Sequence, residues 1–114
     1  MTNAAPLREP TFFVLTALAA RPQHGYGIVE DVRQLSGGRL KLLTGTLYAV
    51  LDRLRTDGLV EVEREEVVSS RLRRYYRLTG AGVAVLTAET ERLQRNAAAA
   101  AARLRGLALG GGAA

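Results

Sequence analysis

Apolar residues recur at helical spacing in the N-terminal part of the chain, in two stretches separated by a break. The first stretch predicts a helix from Pro10, a residue suited to a first helical turn, to Ala20, where Arg21-Pro22-Gln23 interrupts it. The second stretch predicts a helix that begins after His24-Gly25 and ends at the glycine pair Gly37-Gly38. Its inward stripe is predicted to consist of Ile28, Val29, Val32 and Leu35.

A third helix is predicted after a short turn, with Thr44 as its N-cap and Asp57-Gly58 at its end. Three short helices with tight breaks between them would form a compact trihelical unit. Because one stripe of the third helix is apolar and buried, its other face is left free. The buried stripe is predicted to be Leu47, Val50, Leu51 and Leu54.

The spacing changes to that of strands after the third helix, where residues 59–63 alternate between apolar and charged. A second strand is predicted over residues 72–78, joined to the first through Val67 to Arg71. An isolated hairpin is only marginally stable, so this one must pack on the helices. The residues predicted to face inward are Leu72, Tyr76 and Leu78, and those predicted to face outward are Arg73, Tyr75 and Arg77.

A fourth, long helix is predicted from a cap at Thr79, since residues 97–102 are an unbroken run of alanine. Apolar residues occupy its heptad positions, with Thr90 as the exception, and such a seam suits a helix partner. The alternative is that the seam packs only on its own domain. The predicted dimerisation residues are Val83, Leu86, Leu93, Ala97, Ala100 and Leu104, with Leu107 continuing the series.

The order of these elements predicts a mainly α fold with a small β-hairpin, which is a winged helix-turn-helix domain followed by a long C-terminal dimerisation helix. The expected boundaries are a flexible N-terminal arm over residues 1–9 and the winged helix-turn-helix domain over residues 10–78. The dimerisation helix is expected over residues 79–109 and a disordered tail over residues 110–114.

The chain of 114 residues carries a net charge of +5, which favours a polyanionic partner such as nucleic acid. It has no cysteine, and its N-terminus lacks the pattern of a signal peptide. The longest apolar tract, Phe12 to Ala20, is about half of a membrane span. We therefore expect a cytoplasmic protein without membrane contact.

The free face of the third helix is the candidate surface for contact with double-stranded DNA. Thr46, Ala49 and Arg53 follow one another at spacings of three and four, with Gly45 and Tyr48 beside them. Small residues let a helix approach DNA closely, while hydroxyl and guanidinium groups can bind phosphates and base edges. The alternative interpretation is an ordinary solvated helix face.

The predicted return strand of the hairpin is rich in arginine and lacks acidic residues, as a wing along phosphates would be. The alternative is that these arginines pair with the glutamates of the facing strand. Arg77, near the base, is expected to be paired, whereas Arg71 and Arg73, near the tip, are expected to be free. Arg74 is open to either interpretation.

Four motifs in order resemble the PadR family of bacterial transcriptional regulators over residues 10–95. They are His24-Gly25-Tyr26, Gly45-Thr46-Leu47-Tyr48, the LRTDGLV segment of residues 54–60, and the RYYRLT segment of residues 74–79. The resemblance implies a homodimer on a near-palindromic operator, usually as a repressor, that a small molecule or a stress signal often releases. It implies groove contacts from Thr44, Gly45, Thr46 and Tyr48 and wing contacts from Arg74 and Tyr75. Tyr26 would either touch phosphate or serve packing.

The sequence departs from the family pattern in two places. The wing tip, residues 67–73, lacks the glycine and proline that often mark it. The C-terminal region is short and alanine-rich, with no aromatic residue after Tyr76, which argues against a large aromatic drug pocket at the dimer interface. Both the existence of an effector and its identity therefore stay open.

No arrangement of residues predicts an enzyme, a metal site or a cofactor. The chain has one histidine, His24, for which a turn or capping role is favoured over that of a metal ligand. Two alternatives to a sequence-specific regulator stay open, a winged-helix module that binds proteins and a sequence-neutral nucleic-acid binder.

Overall fold

The computed structural model describes residues 5–110, so that residues 1–4 of the predicted arm and 111–114 of the predicted tail lie outside the described residues. The described part is mainly helical with one small sheet, which confirms the predicted fold class. Its elements are α1 (Glu9–Ala20), β1 (Gln23–His24), α2 (Gly25–Leu35), α3 (Thr44–Thr56), β2 (Val60–Val68), β3 (Arg71–Leu78) and α4 (Gly80–Leu109).

One hydrophobic core joins α1, α2 and α3 to the base of the sheet. The apolar stripes predicted for α2 and α3 face this core, except that Leu35 is exposed because it is the last residue of α2, where the helix leaves the core. Val29 and Val50 lie partly buried at the core's edge. The buried apolar side chains are Val14, Leu15, Ala17, Leu18, Ile28, Val32, Leu47, Leu51, Leu54, Val60 and Tyr76.

The sheet has three antiparallel strands in the order β1-β3-β2, and its short first strand was not predicted. Gln23 pairs with Tyr76 and His24 with Tyr75. The Gln23 amide Nε2 is buried and donates hydrogen bonds of 2.9 Å to the Ala17 carbonyl and to the Asp31 carboxylate. This strand ties the loop between α1 and α2 to the base of the wing.

The wing, β2 with β3, is longer than predicted, because the strands continue to a turn of only two residues, Ser69 and Ser70. The prediction of a connection over residues 67–71 was therefore wrong. Both serines have a positive φ, 50° and 64°, as in a type I′ hairpin turn. The prediction that Leu72 faces the core was also wrong. It lies on the Tyr76 side of β3, but the strand has by then extended beyond the core.

The helix caps agree with the sequence in two of three cases. His24 caps α2, since its Nδ1 accepts a hydrogen bond of 3.3 Å from the Gly27 amide, and this confirms the capping role. The Thr79 hydroxyl caps α4 by accepting from the Gly82 amide at 3.1 Å. The N-cap of α3 is Leu43 rather than Thr44, which is already helical, so this prediction was wrong.

The long helix α4 is held on the domain from its first turn to Glu89 and then extends away from it. A β-carbon on Gly82 would lie 2.1 Å from the Leu59 carbonyl oxygen, so only glycine allows this close approach. Further along, the Glu89 carboxylate accepts a hydrogen bond of 3.1 Å from the Leu7 amide. Within the segment predicted as a flexible arm, the described residues are thus held against α4 at Leu7 and enter α1 at Glu9.

The remaining length of α4 gives the protein an elongated shape. The whole of α4, with its 30 residues, is about 45 Å long. The radius of gyration is 17.9 Å, compared with roughly 13 Å for a compact domain of this length. Among the described residues, no helix is both long enough and apolar enough to span a membrane.

Candidate nucleic-acid interface

The outward face of α3 is open to solvent along its length. Its buried stripe turns Leu47, Leu51 and Leu54 toward the core, so that the intervening residues point away from the domain. A β-carbon on Gly45 would meet no atom within 4 Å. The start of the helix therefore presents bare backbone to the outside. The exposed predicted residues of this helix are Thr44, Gly45, Thr46, Tyr48, Ala49 and Arg53.

Tyr48 differs from its neighbours on this face because its ring lies against the start of α2. A β-carbon on Gly25 would be 2.6 Å from the Tyr48 hydroxyl oxygen and 3.3 Å from Leu47 Cδ2. Gly25 is buried, whereas Tyr48 keeps part of its surface exposed. Tyr48 thus spaces α2 from α3 in addition to forming part of the exposed surface.

Arg53 is the cationic end of the α3 face. Its Nε atom lies 3.6 Å from the carboxylate of Asp57, one turn further on, and both side chains are largely exposed. Surface ion pairs of this kind contribute little to stability, typically below about 1 kcal/mol. The guanidinium of Arg53 can therefore exchange Asp57 for a phosphate or a base edge at small cost.

The wing divides its arginines into paired and free ones. Arg77 Nε donates to Glu61 at 2.7 Å, which confirms its predicted pairing, and Arg74 Nε donates to Glu65 at 2.6 Å. The hydrogen bond to Glu65 raises the pKa of Arg74. Within residues 5–110, Arg71 and Arg73 form no ion pair, as expected from their place near the tip.

The freedom of Arg73 has a structural cause. Its cross-strand partner is Glu66, but that carboxylate accepts a hydrogen bond of 2.7 Å from the Tyr75 hydroxyl and lies 3.7 Å from Arg64. Arg64 also covers the Tyr75 ring, with its guanidinium carbon 3.8 Å from the ring centroid. Glu66 is thus engaged on the outer face of the wing, and Arg73 is left without a carboxylate.

Tyr75, a predicted wing contact, is largely committed to contacts within the protein. The His24 ring meets its ring edge-on with the centroids 5.3 Å apart, and Arg64 stacks on it. Burial, together with the nearby charge of Arg73, lowers the pKa of His24 below its ordinary value of 6.5. The sequence did not reveal the role of Arg64, because the alternation that predicted the first strand ended at Glu63.

A concave surface of about 270 Å³ connects the start of α2, Tyr48 on α3 and the wing. Tyr26, whose side chain is 78% exposed, stands at its α2 side. Arg71, Arg73 and Arg74 line its wing side. The fold thus brings Tyr26 and Tyr48 together with the wing arginines. The other predicted residues of α3, namely Thr44, Gly45, Thr46, Ala49 and Arg53, lie on the helix outside this hollow.

The predicted dimerisation seam on α4 is mostly uncovered. Leu86 is partly buried against the core, whereas the other predicted seam residues, Val83, Leu93, Ala97, Ala100 and Leu104, are exposed. Val83 and Leu86 also border an apolar hollow of about 530 Å³ between the end of α1, the end of β3 and α4. The exposed seam is therefore continuous with an apolar surface on the winged domain.

Three helices, a two-stranded wing and a projecting terminal helix define a winged helix-turn-helix protein. Residues 14–88 match the transcriptional regulator PadR-like family, and the chain belongs to this family. This confirms the resemblance seen in the sequence and the prediction that the protein is a regulator rather than an enzyme.

Individual relatives agree with this family assignment. The chain is 38% identical to the transcriptional regulator Rv3488 of Mycobacterium tuberculosis over 71% of its own length and 72% of that protein. A PadR family regulator from Clostridium difficile has a similar fold, with a TM-score of 0.70 at 23% identity over 85% of this chain and 99% of that one. Bacillus subtilis PadR, solved in complex with operator DNA, has a TM-score of 0.62 at 21% identity over 70% of this chain and 46% of that one.

Proposed function

We propose that this protein is a sequence-specific DNA-binding regulator that represses transcription as a homodimer on a near-palindromic operator. The observation that carries the proposal is that Tyr48, on the exposed face of α3, borders one concave surface together with the free arginines of the wing, Arg71 and Arg73. A recognition helix reads base edges in the major groove, while an arginine-bearing wing binds the adjacent backbone or minor groove. The proposal is supported by the similarity of this fold to that of Bacillus subtilis PadR, which was solved in complex with operator DNA.

In this proposal, the bare start of α3 lies in the major groove. Thr44, Thr46 and Ala49 would contact base edges, and Arg53 would bind a guanine or a phosphate at the far end of the helix face. Tyr26 would contact the backbone from the start of α2. A regulator acting on chromosomal DNA in this way would work in the cytoplasm.

The first test compares DNA from upstream of the protein's own gene with scrambled DNA, by fluorescence anisotropy over a series of salt concentrations. We expect a preference of ~10³-fold or more and a steep loss of affinity with salt. Equal binding to both DNAs would indicate a sequence-neutral binder, and no binding at low salt would indicate a protein-interaction module. Alanine at both Arg71 and Arg73 should lower the affinity and flatten the salt dependence.

A glycine-to-alanine pair tests whether α3 is the element in the groove. Gly45 and Gly106 are both exposed helical glycines whose added β-carbon would meet nothing within 4 Å in the protein. Each substitution by alanine should leave the fold intact and stabilise its helix by up to about 1 kcal/mol. Only Gly45→Ala should weaken DNA binding, since only there would DNA occupy the space. Equal DNA affinity of both variants would remove the start of α3 from the interface.

The homodimer is supported by the exposed apolar seam of α4, because such a seam suits a partner helix. A matched pair of variants tests it. Leu93→Glu puts a charge in the seam, whereas Gln94→Glu puts the same charge on the neighbouring exposed position outside it. We expect sedimentation to show a dimer for the unaltered protein and for Gln94→Glu, and dissociation for Leu93→Glu. A monomeric unaltered protein at micromolar concentration would refute the dimer.

Repression is tested in cells with a reporter gene placed behind the DNA that the protein binds. Repression requires that expression falls when the protein is present and recovers in the Arg71 and Arg73 double variant. A rise in expression on binding would replace repression by activation and leave the DNA-binding part of the proposal in place.

A further inference from the structure

The tip of the wing carries two large apolar side chains that no part of the described fold covers. Val67 is 72% exposed and Leu72 is 59% exposed. They are cross-strand partners immediately before the turn at Ser69 and Ser70, so their side chains lie side by side on one face of the hairpin. Exposed apolar pairs at the end of a strand promote aggregation, which makes their presence here informative.

The orientation of this pair is set by the pleat of β3. Leu72 alternates with Arg73 and so shares a face with Arg74 and Tyr76, the face that turns toward the helices. Leu72, Arg74 and Tyr76 border one small hollow together with Tyr48 of α3. The apolar pair therefore faces the same side as the exposed surface of α3, not the opposite side of the wing.

The charges around the pair identify the kind of partner. Arg71 and Arg73 flank Leu72 in sequence and form no ion pair within residues 5–110, and both line the concave surface to which Leu72 also contributes. Their side chains start on the opposite face of β3 from Leu72, so the hairpin tip presents an apolar pair on one face and unpaired cations on the other. Such a tip complements a cleft whose walls carry both apolar groups and anions. The minor groove of DNA has this character, since the C–H groups of its deoxyriboses lie between two rows of phosphates.

We propose that Val67 and Leu72 form an apolar minor-groove contact, in which both side chains pack on deoxyribose at one wall of the groove while Arg71 and Arg73, on the other face of the hairpin, bind phosphates of the opposite wall. This inference rests on the proposed function and adds a contact that is neither ionic nor directed to base edges in the major groove. The wing then contributes to affinity by two physically separate means, one sensitive to salt and one insensitive.

The experiment replaces Val67→Thr and Leu72→Thr together. Threonine has the β-branched shape that suits a strand, and both positions are exposed, so the hairpin should be retained. Leu109→Thr is the control, an equally conservative loss of an exposed apolar side chain at the far end of α4. Circular dichroism and sedimentation check that fold and assembly are unchanged in each variant.

We expect the double variant to bind duplex DNA about tenfold more weakly than the unaltered protein, with Leu109→Thr unchanged. The slope of log affinity against log salt should stay the same, because loss of an apolar contact releases no counterions. Alanine at Arg71 and Arg73 should instead reduce the slope. Hydroxyl-radical footprinting should show that the double variant loses protection of minor-groove sugars beneath the wing.

Several outcomes would overturn this inference. Unchanged DNA affinity of the double variant would do so, as would a loss of affinity accompanied by a smaller salt slope. A change in assembly would assign the pair to a second copy of the chain. Loss of binding to anionic lipid vesicles with unaltered DNA binding would assign it to a membrane surface. Failure of the proposed function is recognised separately, since the unaltered protein would then show no preference for its upstream DNA.

Discussion

The contact between Gly25 and Tyr48 allows a quantitative test of how α2 and α3 are held relative to each other. A β-carbon at position 25 would lie 2.6 Å from the Tyr48 hydroxyl oxygen, whereas ordinary contacts begin at 3.4 Å. The hydroxyl would have to move about 0.8 Å to accept Gly25→Ala. We expect this substitution to lower the free energy of unfolding by about 1–3 kcal/mol, as is typical of overpacking.

Removing the hydroxyl should remove most of that cost. In Tyr48→Phe, the nearest atoms to the new β-carbon would be the ring carbon Cζ at 3.2 Å and Leu47 Cδ2 at 3.3 Å, which need to yield only slightly. Because Tyr48 is partly exposed, the single change to phenylalanine should itself be nearly neutral. The double variant should therefore be more stable than Gly25→Ala alone, with a coupling energy of about 1–2 kcal/mol.

This double-mutant cycle is measured by urea denaturation, followed by circular dichroism, of the unaltered protein, the two single variants and the double variant. Fluorescence anisotropy with DNA that the protein binds gives the corresponding changes in DNA affinity. We expect Gly25→Ala to weaken binding by turning α3 away from α2, and Tyr48→Phe to restore part of it. Additive stabilities, with a coupling energy near zero, would refute the reasoning, because they would mean that the two residues do not contact each other.

Three further predictions concern the wing turn, the root of α4 and the cap of α2. Ser69→Asn with Ser70→Gly should stabilise the protein by about 1 kcal/mol in urea denaturation, because asparagine and glycine adopt the positive φ of a type I′ turn more readily. Gly82→Ala should destabilise it by about 3 kcal/mol in the same assay, despite the better helix propensity of alanine, because its β-carbon would collide with the Leu59 carbonyl. Burial lowers the pKa of His24 in the folded state, so the unfolded chain binds the proton more readily. The free energy of unfolding should therefore fall as the pH drops from about 6.5 through the folded-state pKa, which is measured as melting temperature against pH.

Each of these predictions has its own control and its own contradicting result. A less stable Asn-Gly variant would exclude the type I′ geometry of the turn. Gly80→Ala, where a β-carbon meets nothing within 4 Å, should be neutral or stabilising, and an equal loss in both glycine variants would argue against the steric cause. Asparagine at position 24 keeps a capping acceptor without titrating, so the pH dependence should flatten; an unchanged dependence would place its origin elsewhere.

The elements that depend on local signals could be predicted from the sequence, and those that depend on distant pairing could not. The helix stripes, the glycine stops and the cap at Thr79 are encoded within a few residues. The strand β1 has only two residues and exists through its pairing with β3, some fifty residues away. The turn at Ser69 and Ser70 carries none of the residues that usually mark such a turn, so its place could not be inferred.

The same distinction applies to the candidate site. The free state of Arg71 and Arg73 followed from their place near the tip, but the pairing of Arg74 depended on the register with Glu65, which a bulge at Glu63 shifts. Leu72 shows that the alternation of apolar and polar residues along a strand does not by itself predict burial. Period two assigns a residue to a face of a strand, but whether that face is covered depends on where the core ends.

Because α4 is long, the angle at which it is held on the domain determines the position of its far end. The helix is held on the domain as far as Glu89, and residues 90–109 project beyond it over about 30 Å. A tilt of about 10° where the helix is held on the domain therefore displaces the far end by about 5 Å, which is about one and a half base-pair steps along DNA. In the proposed homodimer, the separation of the two recognition helices would follow this angle. The contacts of Gly82 with the Leu59 carbonyl and of Glu89 with Leu7 would thereby select the spacing of operator half-sites without touching DNA.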